Sequence, residues 1–455
     1  MTNAPAILLA ANADPAWATP FVLLLLAVAF LPLIPATAHW WHRNSNKLLV
    51  SVALALVTLG YYAVAHGYHG KPPGAESVGA VLHHALLDEY VPFIVLLFAL
   101  YTIAGGIELR GDLPAHPGTN TAFLAAGALL ASLVGTTGAA MLLVRPLLRT
   151  NSERKHVVHT LVFFIFAVCN CGGLLLPIGD PPLFLGYLRG VPFEWTLTLL
   201  PQWALVNGLL LATYYVWDVR AHRSEAPRDL RRDERQVERL GISGGLNLAL
   251  LGGVVACVAL LDPKRAVPGT NWVPPPYFRE TLMLALTAAS YFVPAITPKG
   301  LRARVRFDFT AIAEVACLFV GIFITMQVPL EILNDPATVA ALGVDRPMEF
   351  FWATGALSAF LDNAPTYVVF FETARNLGAT SEALVPPGIP ETVLAAISCG
   401  AVFLGAMTYI GNGPNFLVKA IAEQSGVKMP SFFGYVRYSL LVLGPILLVT
   451  SLVFF

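Results

Sequence analysis

Two segments of this chain interrupt an apolar run in the same way. Ile178-Gly179-Asp180-Pro181-Pro182-Leu183-Phe184-Leu185 lies in the first half, and Ile410-Gly411-Asn412-Gly413-Pro414-Asn415-Phe416-Leu417 in the second. Gly and Pro stop a helix, and the polar side chains beside them sit where a helix would otherwise continue in apolar residues. Non-helical backbone at bilayer depth is tolerated only when it is buried in protein or lines a wet cavity. Matching interruptions in two halves of a chain therefore point to a binding site near the middle of a membrane.

The composition supports a membrane setting. Of the 455 residues, 56% are hydrophobic and 12% charged, whereas a soluble domain carries about 25% charged residues. A helix needs roughly 20 apolar residues to span a bilayer. Candidate spans are 18–38, 48–66, 90–109, 156–177, 196–217, 244–261, 280–297, 308–330, 389–410 and 433–455. The formal net charge of +0 gives no reason to expect a nucleic-acid partner. No basic region precedes the first apolar run, so a cleaved signal peptide is not expected. The five cysteines, Cys169, Cys171, Cys257, Cys317 and Cys399, lie in apolar segments without metal-ligand spacing and read as small packing residues.

Lys and Arg in short loops set orientation. Arg43 and Lys47 place the loop after the first span in the cytoplasm, as do Lys299, Arg302, Arg304 and Arg306 for 298–306. The stretch 218–243 carries both signs, including Asp218, Arg220, Glu225, Arg231 and Glu238, and reads as a solvated cytoplasmic helix linking the halves. Applied to 121–149, the rule puts both ends on one side, and Gly135-Thr136-Thr137-Gly138 supplies a turn in the middle. We read this stretch as a re-entrant hairpin. The same logic makes 347–375 a hairpin turning at Asp362-Asn363-Ala364-Pro365-Thr366, with Arg375 the one discordant charge.

The expected fold is an all-α polytopic membrane protein of two inverted-topology repeats, 1–217 and 244–455, joined by 218–243. Each repeat has about five spans, one hairpin and one broken span, the latter at 156–190 and 389–425. An odd number of spans per repeat turns the second upside down. Matching features recur in order: Glu314 follows Glu89 by 225 positions, and Asn412 follows Asp180 by 232.

Asp180 and Asp362 are the central candidates, because a carboxylate at bilayer depth costs ~2.5–3.5 kcal/mol and is rarely incidental. A carboxylate with carbonyl and hydroxyl oxygens suits a hard cation. Burial disfavours its charged form, so such a group can also exchange a proton. The structural alternative for Asp180 is a helix cap ahead of Pro181. Thr136, Thr137, Asn363, Thr366, Asn412 and Asn415 offer neutral oxygens or amides at the same breaks, or simply satisfy freed backbone. Asn170 and Thr408 are weaker candidates. Glu89 and Glu314 occupy matching helix starts, where the dipole favours an acidic residue, and Glu314 is the deeper of the two. Lys419 either snorkels to the surface or faces a substrate. His83, His84, Asp88 and Glu89 cluster without specific metal spacing and, with His66 and His69, could sense pH.

The segments GTTGAAMLLVRPLL, NCGGLLLPIGDPPLFLGYL, LSAFLDNAPTYVVF and MTYIGNGPNFLVKAIAE resemble those of the ion transporter superfamily. That superfamily includes NhaD-type sodium/proton antiporters, arsenite-efflux proteins and divalent-anion/sodium symporters, and the label citrate transporter is attached to such chains. The Gly-Asp and Asp-Asn breaks look most like the antiporter branch; the Ser-Asn-Thr tripeptides of the anion symporters are absent, and Pro181 and Pro182 replace further polar residues of the antiporters. The resemblance implies an elevator-like carrier, often a homodimer, in an inner membrane. It exchanges Na+ or Li+ for H+ at Asp180 and Asp362, with Asn363 as a neighbour and no cofactor beyond the transported ions. Its partners are membrane lipid and small ions. The alternative is a Na+- or H+-coupled di- or tricarboxylate, or oxyanion, carrier. No nucleophile–base, metal or phosphate-cradle motif suggests an enzyme, and a passive channel is less favoured than a carrier.

Overall fold

The computed structural model of the protein describes residues 13–235, 237–377 and 383–455. Its helices follow one another as α1 (Thr19–Phe30), α2 (Pro35–Trp41), α3 (Asn44–Val64), α4 (Ala75–Leu82) and α5 (Val91–Ala104). A strand β1 (Glu108–Asp112) precedes α6 (Pro117–Val134), α7 (Thr136–Thr150), α8 (Val158–Ala167), α9 (Pro181–Leu188), α10 (Leu200–Arg223) and α11 (Pro227–Asp233). After β2 (Glu238–Ser243) come α12 (Leu246–Leu260), α13 (Phe278–Phe292), α14 (Leu301–Arg304), α15 (Thr310–Thr325), α16 (Gln327–Leu333) and α17 (Pro336–Leu342). The chain ends with α18 (Pro347–Ser358), α19 (Asn363–Arg375), α20 (Glu391–Leu404), α21 (Gly413–Gln424) and α22 (Phe432–Phe454).

This is an all-α polytopic membrane protein. Among the described residues six helical segments are long and apolar enough to cross a bilayer, or up to eight if two bent pairs each count as one. The expected span 18–38 is such a pair: α1 and α2 meet at 101°. Pro32 and Pro35 explain the bend, since proline cannot continue the hydrogen-bond ladder. The expected span 308–330 is the other, bent by 41° between α15 and α16. The apolar stretches 244–261 and 280–297 yield helices of only 15 residues each.

Two compact units emerge, each discontinuous in sequence. One comprises Met1–Ile94, Phe309–Asp345 and Glu372–Thr380; the other Val95–Asp308, Arg346–Phe371 and Ser381–Phe455. In the first, α3 packs along α15. Gly321 makes this approach close, because a Cβ there would stand 2.6 Å from the Cβ of Ser51. Small residues at such contacts let membrane helices pack backbone to backbone.

In the second unit α10 packs against α6, α8 and α22. The link between the halves departs from expectation. Instead of one solvated helix, 218–243 contains the end of α10, the short α11, and β2, which pairs antiparallel with β1. Asp218 is not solvated: it is fully buried. Arg154 clamps its carboxylate through two bonds of 2.6 and 3.0 Å, His159 Nε2 lies 2.8 Å away, and Asn120 Nδ2 donates at 3.3 Å. Asn120 and Asn151 exchange amide bonds of 2.9 Å beside it. One carboxylate thereby ties α6, the α7–α8 loop and α8 to α10. Removing one partner of a buried pair leaves an uncompensated charge and costs about 3–5 kcal/mol. Asp218→Asn should therefore lower the unfolding temperature of the detergent-solubilised protein, whereas Arg223→Gln on the exposed face of the same helix should leave it unchanged in a thermal-shift assay.

Candidate functional site

The first break begins where α8 ends. Residues Cys171–Leu175 form a short tight turn, and α9 starts only at Pro181. Gly172, Gly173, Pro177, Gly179 and the two prolines prevent a continuous helix, so backbone groups are freed in the interior. The α6–α7 connection satisfies several of them. Ser132 Oγ donates to the Gly172 carbonyl at 2.5 Å and accepts from the Leu175 amide at 3.1 Å. The Thr136 amide donates to the Gly179 carbonyl at 2.9 Å. Gly135 permits the chain reversal with φ of +80°.

The second break repeats this construction. After α20 a turn at Gly405–Met407 leads to α21. Ser358 Oγ, at the end of α18, donates to the Ala401 carbonyl at 2.6 Å. Asn415 Nδ2 donates to the Gly405 and Thr408 carbonyls, both at 2.9 Å. Thr408 donates its hydroxyl to the Ala359 carbonyl and accepts from the Gly411 amide. The residues preceding the two resumed helices match in conformation, Asp180 at φ −142°, ψ 142° and Asn412 at φ −153°, ψ 139°. So do the closest approaches: a Cβ on Gly179 would lie 2.2 Å from the Gly173 carbonyl oxygen, and one on Gly411 2.6 Å from that of Gly405.

These breaks converge on Asp180, which is 1% exposed. It occupies the N-cap position of α9, yet its side chain does not cap the helix. The reason is local. A cap accepts from the second or third helical amide; Pro182 has no N–H, and the Leu183 amide is taken by the Asp180 carbonyl at 3.1 Å. The carboxylate is free to turn inward. Its Oδ1 accepts from Thr136 Oγ1 at 3.0 Å and Asn412 Nδ2 at 3.2 Å, and its Oδ2 from Asn363 Nδ2 at 2.5 Å. All three donors are neutral. Among the described residues no Lys, Arg or His forms an ion pair with Asp180, and the buried Asn363 Oδ1 has no hydrogen-bond partner. A second layer surrounds them: Asn170 Oδ1 accepts from Asn412 at 3.2 Å, and Asn170 Nδ2 donates to Asn415 Oδ1 at 2.7 Å.

The structure thus gathers Asp180, Thr136, Asn363, Asn412 and Asn415, with Asn170 more central than its sequence context suggests. The other candidates are placed differently. Asp362 caps α19 by accepting from the Ala364 amide at 3.1 Å, so it is Asn363 rather than Asp362 that touches Asp180. Thr366 Oγ1 donates to the Asp362 carbonyl at 3.0 Å, and half-buried Thr137 joins none of these bonds. Glu314 belongs to the first unit, where it pairs with Lys47 at 2.7 Å. Also in that unit, Glu89 is buried and accepts from Gln327 at 3.3 Å, while exposed His83 and half-buried His84 face Asp88 at 3.4 and 3.5 Å. Among the described residues no group of three or more His, Cys, Asp or Glu is arranged to hold a metal ion. Lys419 pairs with Glu423 on its own helix at 2.9 Å. Ser132 and Ser358 escaped the sequence reading. Their signal was positional, since each lies a few residues before a hairpin turn.

Long apolar helices, two mid-segment breaks and a buried polar cluster where they meet define a multi-pass membrane protein of the transporter class. Over residues 10–455 the sequence matches the family described as "Putative citrate transport", and the chain belongs to that family. No curated protein matches it.

The two glycines give a direct test of the breaks. Gly179→Ala and Gly411→Ala each force backbone apart and should abolish transport with protein still present in the membrane. Gly413→Ala, whose Cβ would meet nothing within 4 Å, should retain it. Transport and membrane abundance measured together decide the outcome.

Proposed function

We propose that the protein is a secondary carrier in which Na+ (or Li+) and H+ alternate at Asp180, exchanging one for the other across the membrane. One observation carries this reading: a buried carboxylate held by three neutral donors, without an ion-pair partner among the described residues. An unpaired charge in a low-dielectric interior is costly, and either a proton or a small cation removes the cost. The partnerless Asn363 Oδ1 is the complementary acceptor. It can ligate a cation beside Asp180, or receive a hydrogen bond from the protonated carboxyl once its amide turns over. Asp362, one residue from Asn363, adds negative potential without touching Asp180.

The matched pairs Gly179 and Gly411, Asp180 and Asn412, and Ser132 and Ser358 support two inverted repeats that move as an elevator-like device. A second reading, a Na+- or H+-coupled citrate-like carrier, is favoured by the family description. In that case Asp180 holds the coupling cation. The carboxylate would bind elsewhere than the start of α9, whose first two residues, Pro181 and Pro182, offer no N–H.

In everted vesicles, Na+ or Li+ should dissipate a preformed pH gradient with the wild type. Asp180→Asn should lose the response, by more than about tenfold in rate. Asp362→Asn should keep part of it, since Asn caps a helix as well as Asp. Normal exchange by properly inserted Asp180→Asn contradicts the mechanism. No cation response, with Na+-dependent uptake of labelled citrate instead, favours the second reading.

A further inference from the structure

We propose that the cleft at the cytoplasmic end of α10, between the loop before α8 and the start of α22, binds the phosphate head group of an anionic phospholipid of the surrounding bilayer. The cavity measures about 900 Å³ and is lined by Lys155, His156 and Arg220 at its polar end, with Trp217 and Tyr438 beside them. All belong to the second unit. The three basic side chains are exposed, and none forms an ion pair or side-chain hydrogen bond among the described residues.

The cleft is built rather than incidental. Glu225 accepts from the backbone amides of Lys155 and His156 at 3.0 and 2.8 Å, fixing that turn against the end of α10. The adjoining Arg154 is locked to Asp218. Asp218 and Glu225 are therefore engaged by Arg154, His159 and backbone amides, while Lys155 and Arg220 remain exposed in the cleft. Among the described residues no Asp or Glu lines the cleft, so an anion that enters meets Lys155 and Arg220 without a like charge in the wall.

The location selects a lipid over a soluble anion. Helices α10 and α22 both fall in segments long and apolar enough to span the membrane. Arg220 lies in the last turn of α10 and Tyr438 in the second turn of α22. Trp217 and Tyr438 stack with ring centroids 5.8 Å apart near the ends of these two segments, and aromatic residues are enriched where membrane helices meet the bilayer interface. Below them Ala212, Thr213 and Val216 continue the wall into the spanning part of α10, which suits an acyl chain. Basic pockets between membrane helices on the cytoplasmic side are the geometry in which anionic head groups are held.

Native mass spectrometry of the full-length protein in detergent, titrated with phosphatidylglycerol or cardiolipin, tests the proposal. The wild type should retain at least one anionic lipid, and phosphatidylcholine should not replace it. Lys155→Gln combined with Arg220→Gln should weaken retention roughly 25-fold, from the ~1 kcal/mol that each surface cation contributes. Both side chains are exposed, so folding should persist, which the thermal transition checks. Arg228→Gln combined with Arg231→Gln removes the same charge from α11 outside the cleft and should change retention by less than twofold. Inorganic phosphate and glycerol phosphate at millimolar concentration should not displace the lipid. Equal weakening by the two double variants, no retained lipid in the wild type, or displacement by soluble phosphate would each overturn the assignment.

Discussion

A peptide group released from a helix inside hydrocarbon has no water to turn to, so each freed amide and carbonyl must find a partner within the protein. Much of the second unit is arranged around that requirement. Gly172, Gly179, Gly405 and Thr408 expose carbonyls at the two breaks, and Ser132, Thr136, Trp203 and Asn415 donate to them. These donors come from the end of α6, the start of α7, α10 and α21, so satisfying the breaks also fixes how those elements pack. The glycines are the counterpart: the backbone can approach itself so closely only where no Cβ intervenes.

The same constraint produces the site. Pro181 and Pro182 restart the helix after the first break, and in doing so they deny Asp180 its ordinary capping role. The carboxylate is redirected to Thr136, Asn363 and Asn412, which are contributed by both hairpins and the second break. Asp362 shows the opposite outcome. With an ordinary amide at Ala364 available, it caps its own helix. Two aspartates of similar sequence context thus take different tasks because one is followed by two prolines and the other is not.

Much of this was legible in the chain. The breaks, the two turns near Gly135 and Asp362, and the pairing of Asp180 with Asn412 all follow from helix-breaking residues in apolar surroundings. What was not legible depended on partners far away in sequence or on helix phase. Asp218 reads as one more charge in a stretch of mixed sign, and only its contacts with Arg154, His159 and Asn120 reveal a buried clamp. The β1–β2 pairing joins segments whose alternation is too short to stand out from their polar surroundings. That Asn363 rather than Asp362 reaches Asp180 rests on a single position at a helix start. The bend between α1 and α2 could have been read from Pro32 and Pro35, because hydrophobicity alone makes 18–38 look continuous.

The central claim is that a proton and a small cation compete for one carboxylate. The most direct measurement is proton release when Na+ or Li+ is added to the purified protein in weakly buffered detergent solution. The account predicts release approaching about one proton per Asp180 for the wild type, saturating with the cation and absent in Asp180→Asn. Release that persists unchanged in that variant, or cation binding that displaces no proton at any pH where the protein is folded, would contradict it.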